Sequence, residues 1–169
     1  MKRTGNIRRN KGERRYHSRR NDEERRKIPE TILIKKIIVT GDRNWQDIPS
    51  VVDQLKKFRS GTILVHGACR GADIICAAVA ETLGYVVRPY PADWDRYKIA
   101  AGPIRNQQML DAEHTLEEPI QLCLVFHNDI ENSCGTADML KRVQQAAIPY
   151  QIITSLPLSA SNVQLTNLL

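Results

Sequence analysis

Five short stretches gather the residue types that handle negative charge. They are Gly41-Asp42-Arg43-Asn44-Trp45, Gly67-Ala68-Cys69-Arg70-Gly71-Ala72-Asp73, Pro91-Ala92-Asp93-Trp94, Ala101-Gly102-Pro103-Ile104-Arg105-Asn106 and Asn132-Ser133-Cys134-Gly135-Thr136-Ala137-Asp138. Arg43, Arg70 and Arg105 supply planar guanidinium groups suited to bidentate phosphate recognition. Gly41, Gly67, Gly71, Gly102 and Gly135 let a ligand approach the backbone. Ser133, Thr136 and Asn106 offer hydroxyl and amide contacts, and Asp73 and Asp93 are placed to orient ribose hydroxyls or the arginines. Trp45 and Trp94 are candidates to stack on a base or to anchor their loops on the sheet. The competing reading of the arginines is a salt-bridge network with Asp42, Asp73, Asp93 and Asp95. Neither glycine turn is a Walker loop or a dinucleotide G-x-G-x-x-G motif.

Other chemistries find less support. Cys69, Cys76, Cys123 and Cys134 include no C-x-x-C pair, and no His pair completes a zinc pattern, so no metal is expected. Cys76 and Cys123 sit in apolar runs and read as buried thiols, which suits a reducing cytoplasm. His66 and His127 fall near strand ends without a nucleophile beside them and read as hydrogen-bonded structural residues.

These stretches need elements to hold them. Five apolar, β-branched runs, Ile37 to Thr40, Thr62 to His66, Tyr85 to Pro89, Leu122 to Phe126 and Tyr150 to Thr154, each precede or follow a turn signal. They are continuous rather than alternating, as expected of strands covered on both faces. Helical spacing appears over Ile48 to Phe58, Ala72 to Leu83 and Thr136 to Ala147, with a further helix starting at Gly102-Pro103. Alternating strands and helices predict an α/β fold: a Rossmann-like, doubly wound, mostly parallel five-stranded sheet with helices on both faces. Right-handed crossovers bring every strand's carboxyl end to one edge, where such sheets bind ligands.

Charge divides the chain. Of its 169 residues, 1–27 hold twelve Lys or Arg against four Asp or Glu, a net +8, while the remainder is near neutral at −2. Residues 1–29 are therefore expected to be a basic, disordered tail, with the domain spanning 30–169. The tail is either a solvated charge run or a nonspecific grip on nucleic acid. The apolar stretches are strand-sized, so no membrane association is expected. Arg8-Arg9, Arg14-Arg15 and Arg19-Arg20 lack the apolar segment that an export signal needs.

In order, the five stretches resemble the YspA/YpsA-related branch of the SLOG superfamily. The resemblance runs from about Lys36 to Ile153. It implies a Rossmann-like fold and a nucleotide or nucleotide-derived ligand of AMP, NAD or ADP-ribose type, with no obligatory cofactor. The superfamily includes LOG-type phosphoribohydrolases, DprA-type DNA-processing proteins and proposed sensors of ADP-ribose-type nucleotides. Arg105-Asn106-Gln107-Gln108-Met109 is similar to the Arg-Lys-x-x-Met segment of LOG enzymes. Their Gly-Gly-x-Gly-Thr-x-x-Glu loop matches Asn132 to Met139, but the first glycine pair is missing and Met139 stands at the catalytic Glu. Methionine moves no proton. Asp138, one residue earlier, is the candidate substitute, although neighbours on a helix point about 100° apart. Three functions remain open: binding as a sensor, carrier or sequestering protein; an N-glycosidase of LOG type; and nucleic-acid binding through the tail. Related folds self-associate, so a homo-oligomer is allowed, but the sequence shows no interface.

Overall fold

A computed structural model describes residues 34–155. The expected basic tail lies outside that range. The order is β1 (Lys36–Gly41), α1 (Ile48–Leu55), β2 (Ile63–His66), α2 (Ala72–Thr82), β3 (Val86–Pro89), α3 (Trp94–Tyr97), a 3-10 turn (Lys98–Ala100), α4 (Ala101–Glu113), β4 (Leu122–Phe126), α5 (Cys134–Gln145) and β5 (Tyr150–Ile153). The five strands form one sheet in the order β3-β2-β1-β4-β5, and every neighbouring pair is parallel. This is the doubly wound α/β fold that the alternation of apolar runs predicts. The crossover direction reverses at the β1/β4 junction.

Alternation along β1 divides the core. Ile37 and Val39 face a cluster with Val51 and Leu55 of α1 and Cys76 and Ala80 of α2. Ile38 faces the other side, with Met109 and Leu110 of α4 and Met139 and Val143 of α5. Both faces of the strand are thus dry, so a polar residue on either side would lose its water without a partner.

Several boundaries differ from the sequence reading, three of them with a visible physical reason. The first helix stops at Leu55, and the chain turns so that buried Phe58 still reaches the core. The last begins at Cys134, because Ser133 caps it by accepting from the Thr136 amide at 3.2 Å. A helical turn at Trp94–Tyr97 replaces an expected loop, and the Asp93 carboxylate caps it through the Arg96 amide at 3.0 Å.

A buried ionic cluster anchors the base of the sheet. The Lys36 ammonium lies 3.1 Å from the Glu113 carboxylate and donates to the Glu113 carbonyl at 3.0 Å. Arg88 and Tyr90 meet the same carboxylate at 2.7 and 2.8 Å. Burial opposes ionisation of Glu113, but the Tyr90, Lys36 and Arg88 contacts outweigh it and hold its pKa below the ordinary value. All three partners lie on or just beyond strands β1 and β3, so the end of α4 is fixed over them.

Candidate functional site

The strand carboxyl edge is built from the turns after β1, β2, β3 and β4, and the β2–α2 turn is its centre. Ala68 is held at φ 54, a left-handed conformation that costs a non-glycine residue roughly 1–2 kcal/mol. Gly71 lies at φ 77, and a Cβ there would run into the backbone of Asp42 and Arg43. That close approach lets the Ala72 amide donate to the Asp42 carbonyl at 3.0 Å, locking the β1 and β2 turns together.

The first amides of the turn are already used. The Ala68 N–H donates to His66 Nδ1 at 3.2 Å, and the Cys69 N–H donates to Asp73 Oδ2 at 3.2 Å. Asp73 is only 5% exposed. Burial, the largest influence, pushes its pKa up to about 6, against the pull of the Cys69 amide, the Arg105 guanidinium and the Gly67 amide. His66 is buried as well; desolvation first, and Arg105 second, lower its pKa and favour the neutral ring.

Arg105 lies beneath this turn rather than facing solvent. It is buried, donates through its guanidinium to the Gly67 carbonyl, and reaches the Tyr90 carbonyl at 3.1 Å and Cys69 Sγ at 3.6 Å. Its Nε donates to Asn106 Oδ1 at 3.0 Å, and Asn106 Nδ2 donates to Asp138 Oδ2 at 2.9 Å. Arg142 completes the chain, meeting Asp138 at 2.9 and 3.1 Å and also bonding Gln107. Burial disfavours the Asp138 charge, but Arg142 and Asn106 prevail and set its pKa below the ordinary carboxylate value. Met139, which the resemblance set against the LOG glutamate, is fully buried in the core.

The three arginines therefore separate. Arg43 and Arg70 are exposed and line one shallow hollow of about 310 Å³, together with Asn44, Trp45, Gln46, Gly71, Ile74 and Ile75. Arg105 is a buried brace. None of the three makes an ion pair with a carboxylate among the described residues. Arg70 is steered by Asn44, whose Oδ1 accepts from its guanidinium at 3.2 Å.

Trp45 is buried, packed edge-on to Phe126 with ring centroids 5.7 Å apart, and donates to the Asp47 carbonyl. It anchors its loop and offers no free face for stacking. Trp94 is half exposed and stands beside Gly102. Asp93 and Ser133 are committed to capping. Thr136 is buried, its hydroxyl donating to the Gly41 carbonyl at 3.0 Å, which ties α5 to the end of β1. Gly135 faces open space. Ile74 and Ile75 add an apolar part to the hollow that the helical spacing over Ala72 to Leu83 did not single out, and Ile74 is 50% exposed. A larger hollow of about 440 Å³ lies between α4 and α5 around Leu110, His114 and Arg142, away from the glycine turns.

Among the described residues no group of three or more His, Cys, Asp or Glu is placed to hold a metal ion. No helix there is long and apolar enough to cross a membrane.

An open parallel sheet, a reversal between β1 and β4 and basic glycine turns at its carboxyl edge define a Rossmann-type α/β protein. The model of the YspA, cpYpsA-related SLOG family matches residues 35–97. The gene 61 protein of Mycobacterium phage D29 is 32% identical over 125 residues, covering 69% of this chain and 94% of that protein. The chain belongs to the YspA, cpYpsA-related SLOG family. No solved structure matches it.

Proposed function

We propose that this protein binds a nucleotide or nucleotide-derived anion of AMP, NAD or ADP-ribose type at the strand carboxyl edge, as a cytoplasmic sensor, carrier or sequestering protein. The observation that carries the reading is the pair Arg43 and Arg70. Two guanidinium groups with no carboxylate partner among the described residues flank one hollow, where like charges repel until an anion joins them. Family membership supports the same ligand class.

Binding is favoured over N-glycoside cleavage for a chemical reason. Asp138 is held as an ionised partner of Arg142 and Asn106, and Met139 is sealed in the core. A general acid must carry a proton near the working pH, and neither residue offers one. Calorimetry with AMP, NAD, ADP-ribose and cyclic ADP-ribose forms tests the proposal. One ligand is expected to bind at micromolar concentration or tighter; silence across the panel from folded protein would reject it.

A second, independent reading concerns residues 1–29, which lie outside the described residues. Their excess of positive charge suits nonspecific contact with nucleic-acid phosphates. Deleting them is expected to abolish DNA or RNA binding and its salt dependence; retention of both would refute that role.

A further inference from the structure

The β2–α2 turn holds a buried carboxylate and a buried guanidinium on its inside and an exposed guanidinium on its outside. On the inside, the buried Asp73 carboxylate takes the Cys69 amide at 3.2 Å. The Arg105 guanidinium packs under the same turn against the Gly67 carbonyl. On the outside, exposed Arg70 reaches across to Asn44 and the hollow. Amides at a glycine turn before a helix ordinarily attract a phosphate or carboxylate. Here the protein has supplied its own.

We propose that Asp73 is a built-in anion that fills the β2–α2 turn and thereby sets ligand specificity, so that the phosphate of the ligand seats outside the turn, on Arg43 and Arg70. This rests on the nucleotide-binding reading and adds to it which groups hold the charge. A phosphate that entered the turn would meet a carboxylate where it needs a donor, and its oxygens would find the Cys69 N–H occupied. Moving outward by the width of the turn replaces that repulsion with two guanidinium groups. Ile74 and Ile75 line the same hollow and give it an apolar side for a base or sugar, so the assigned ligand class is a phosphorylated ring compound with its phosphate peripheral and its ring toward α2.

Asp73 carries a signature of a residue kept for something other than stability. Its carboxylate is buried without an ion-pair partner among the described residues, and burial raises its pKa to about 6. The titratable or charged groups around it are Cys69 in the turn, Arg105 from α4, Cys76 within α2 and Cys123 on β4, while His66 at the end of β2 shares Arg105 as a neighbour. Only Arg105 brings a full opposite charge, and its hydrogen bonds are spent on Gly67, Tyr90 and Asn106.

The test is amide mapping by nitrogen–proton NMR on the full chain at pH 8, titrated with inorganic phosphate and with AMP. In the unmodified protein, phosphate is expected to move the Asn44, Arg70 and Gly71 signals and leave Gly67 and Cys69 in place. In Asp73→Asn, phosphate is expected to move Gly67 and Cys69 and to bind at least ten-fold tighter. Phosphate shifts at Gly67 and Cys69 of the unmodified protein would overturn the assignment whether or not the variant folds. So would a folded Asp73→Asn with unchanged phosphate affinity. The two proposals fail separately. If no nucleotide binds but Asp73→Asn acquires phosphate at the turn, the nucleotide reading falls and the role of Asp73 stands. If AMP binds the unmodified protein through the turn amides, the reverse holds.

Discussion

The Arg105 guanidinium occupies the space in which any side chain at position 67 would stand. A Cβ on Gly67 would overlap it, and the Gly67 carbonyl accepts one of its hydrogen bonds. Glycine is required here by a neighbour rather than by its own dihedral angles, since Gly67 is not among the positive-φ residues. The pair joins the β2–α2 turn to α4, two elements separated by 38 positions in sequence.

Gly67→Ala is therefore expected to destabilise the fold by roughly 2 kcal/mol, within the 1–3 kcal/mol range of overpacking. Arg105→Ala is expected to cost roughly as much, because it orphans the Gly67 and Tyr90 carbonyls. In the double variant the clash is gone, so the two costs should fall short of their sum by about 1 kcal/mol or more. Urea unfolding of the four proteins measures this. Strict additivity would show that the two residues do not share the space.

Arg43→Ala and Arg70→Ala are each expected to weaken binding of the nucleotide ligand about ten-fold, in line with loss of a charge-assisted hydrogen bond at about 1.5–3 kcal/mol. Both side chains are exposed, so thermal stability should stay within about 0.5 kcal/mol. Calorimetry alongside thermal melts separates the two effects. Undiminished affinity in both variants would move the ligand elsewhere.

The pH dependence of stability follows from Asp73. Its pKa is ordinarily 3.8, and burial raises it to about 6 in the fold. Between these values the native state holds more protons than the unfolded chain. Its contribution therefore favours folding below pH 3.8 and is lost as pH rises through 6. The whole shift is on the order of 3 kcal/mol at 1.36 kcal/mol per pH unit. Asp73→Asn should thus be more stable than the unmodified protein at pH 8, with the advantage shrinking toward pH 4. Chemical denaturation at several pH values reads the difference directly. A variant equally destabilised at every pH would mean that the charge itself supports the fold.

Restoring the missing glutamate is not expected to create an enzyme. Met139→Glu places a carboxylate in the dry cluster with Met109 and Val143, at a cost of several kcal/mol. Asp138→Asn breaks the pairing with Arg142 but removes no proton donor. Neither variant, nor the unmodified protein, should release base from a nucleoside monophosphate, as followed by chromatography. Release by the unmodified protein that Asp138→Asn abolishes, with binding intact, would restore the glycosidase reading.

Much of the architecture was legible because it rests on local pattern. Ile37 to Thr40 and Leu122 to Phe126 are short, largely apolar and β-branched or strand-length runs bounded by turn signals, the pattern of strands covered on both sides. The capping of the last helix by Ser133 was less visible, since Ser-Cys-Gly-Thr also reads as a loop. The turn at Trp94–Tyr97 is too short to show a period. Lys36 lay just before the expected strand at Ile37 to Thr40, and nothing nearby in sequence foretold a buried ammonium; its partner Glu113 is 77 residues away.

The amino-acid sequence by itself determined the order of strands and helices, the edge at which the glycine turns gather and the three arginines brought to it. Residue type and spacing suffice for that, because periodicity and turn chemistry act over a few neighbours. What each arginine does was decided only by the tertiary structure. Arg105 is buried under Gly67 while Arg43 and Arg70 stand open. That division depends on how α4 crosses the sheet and which carbonyls it meets, contacts between residues far apart along the chain that no local pattern encodes.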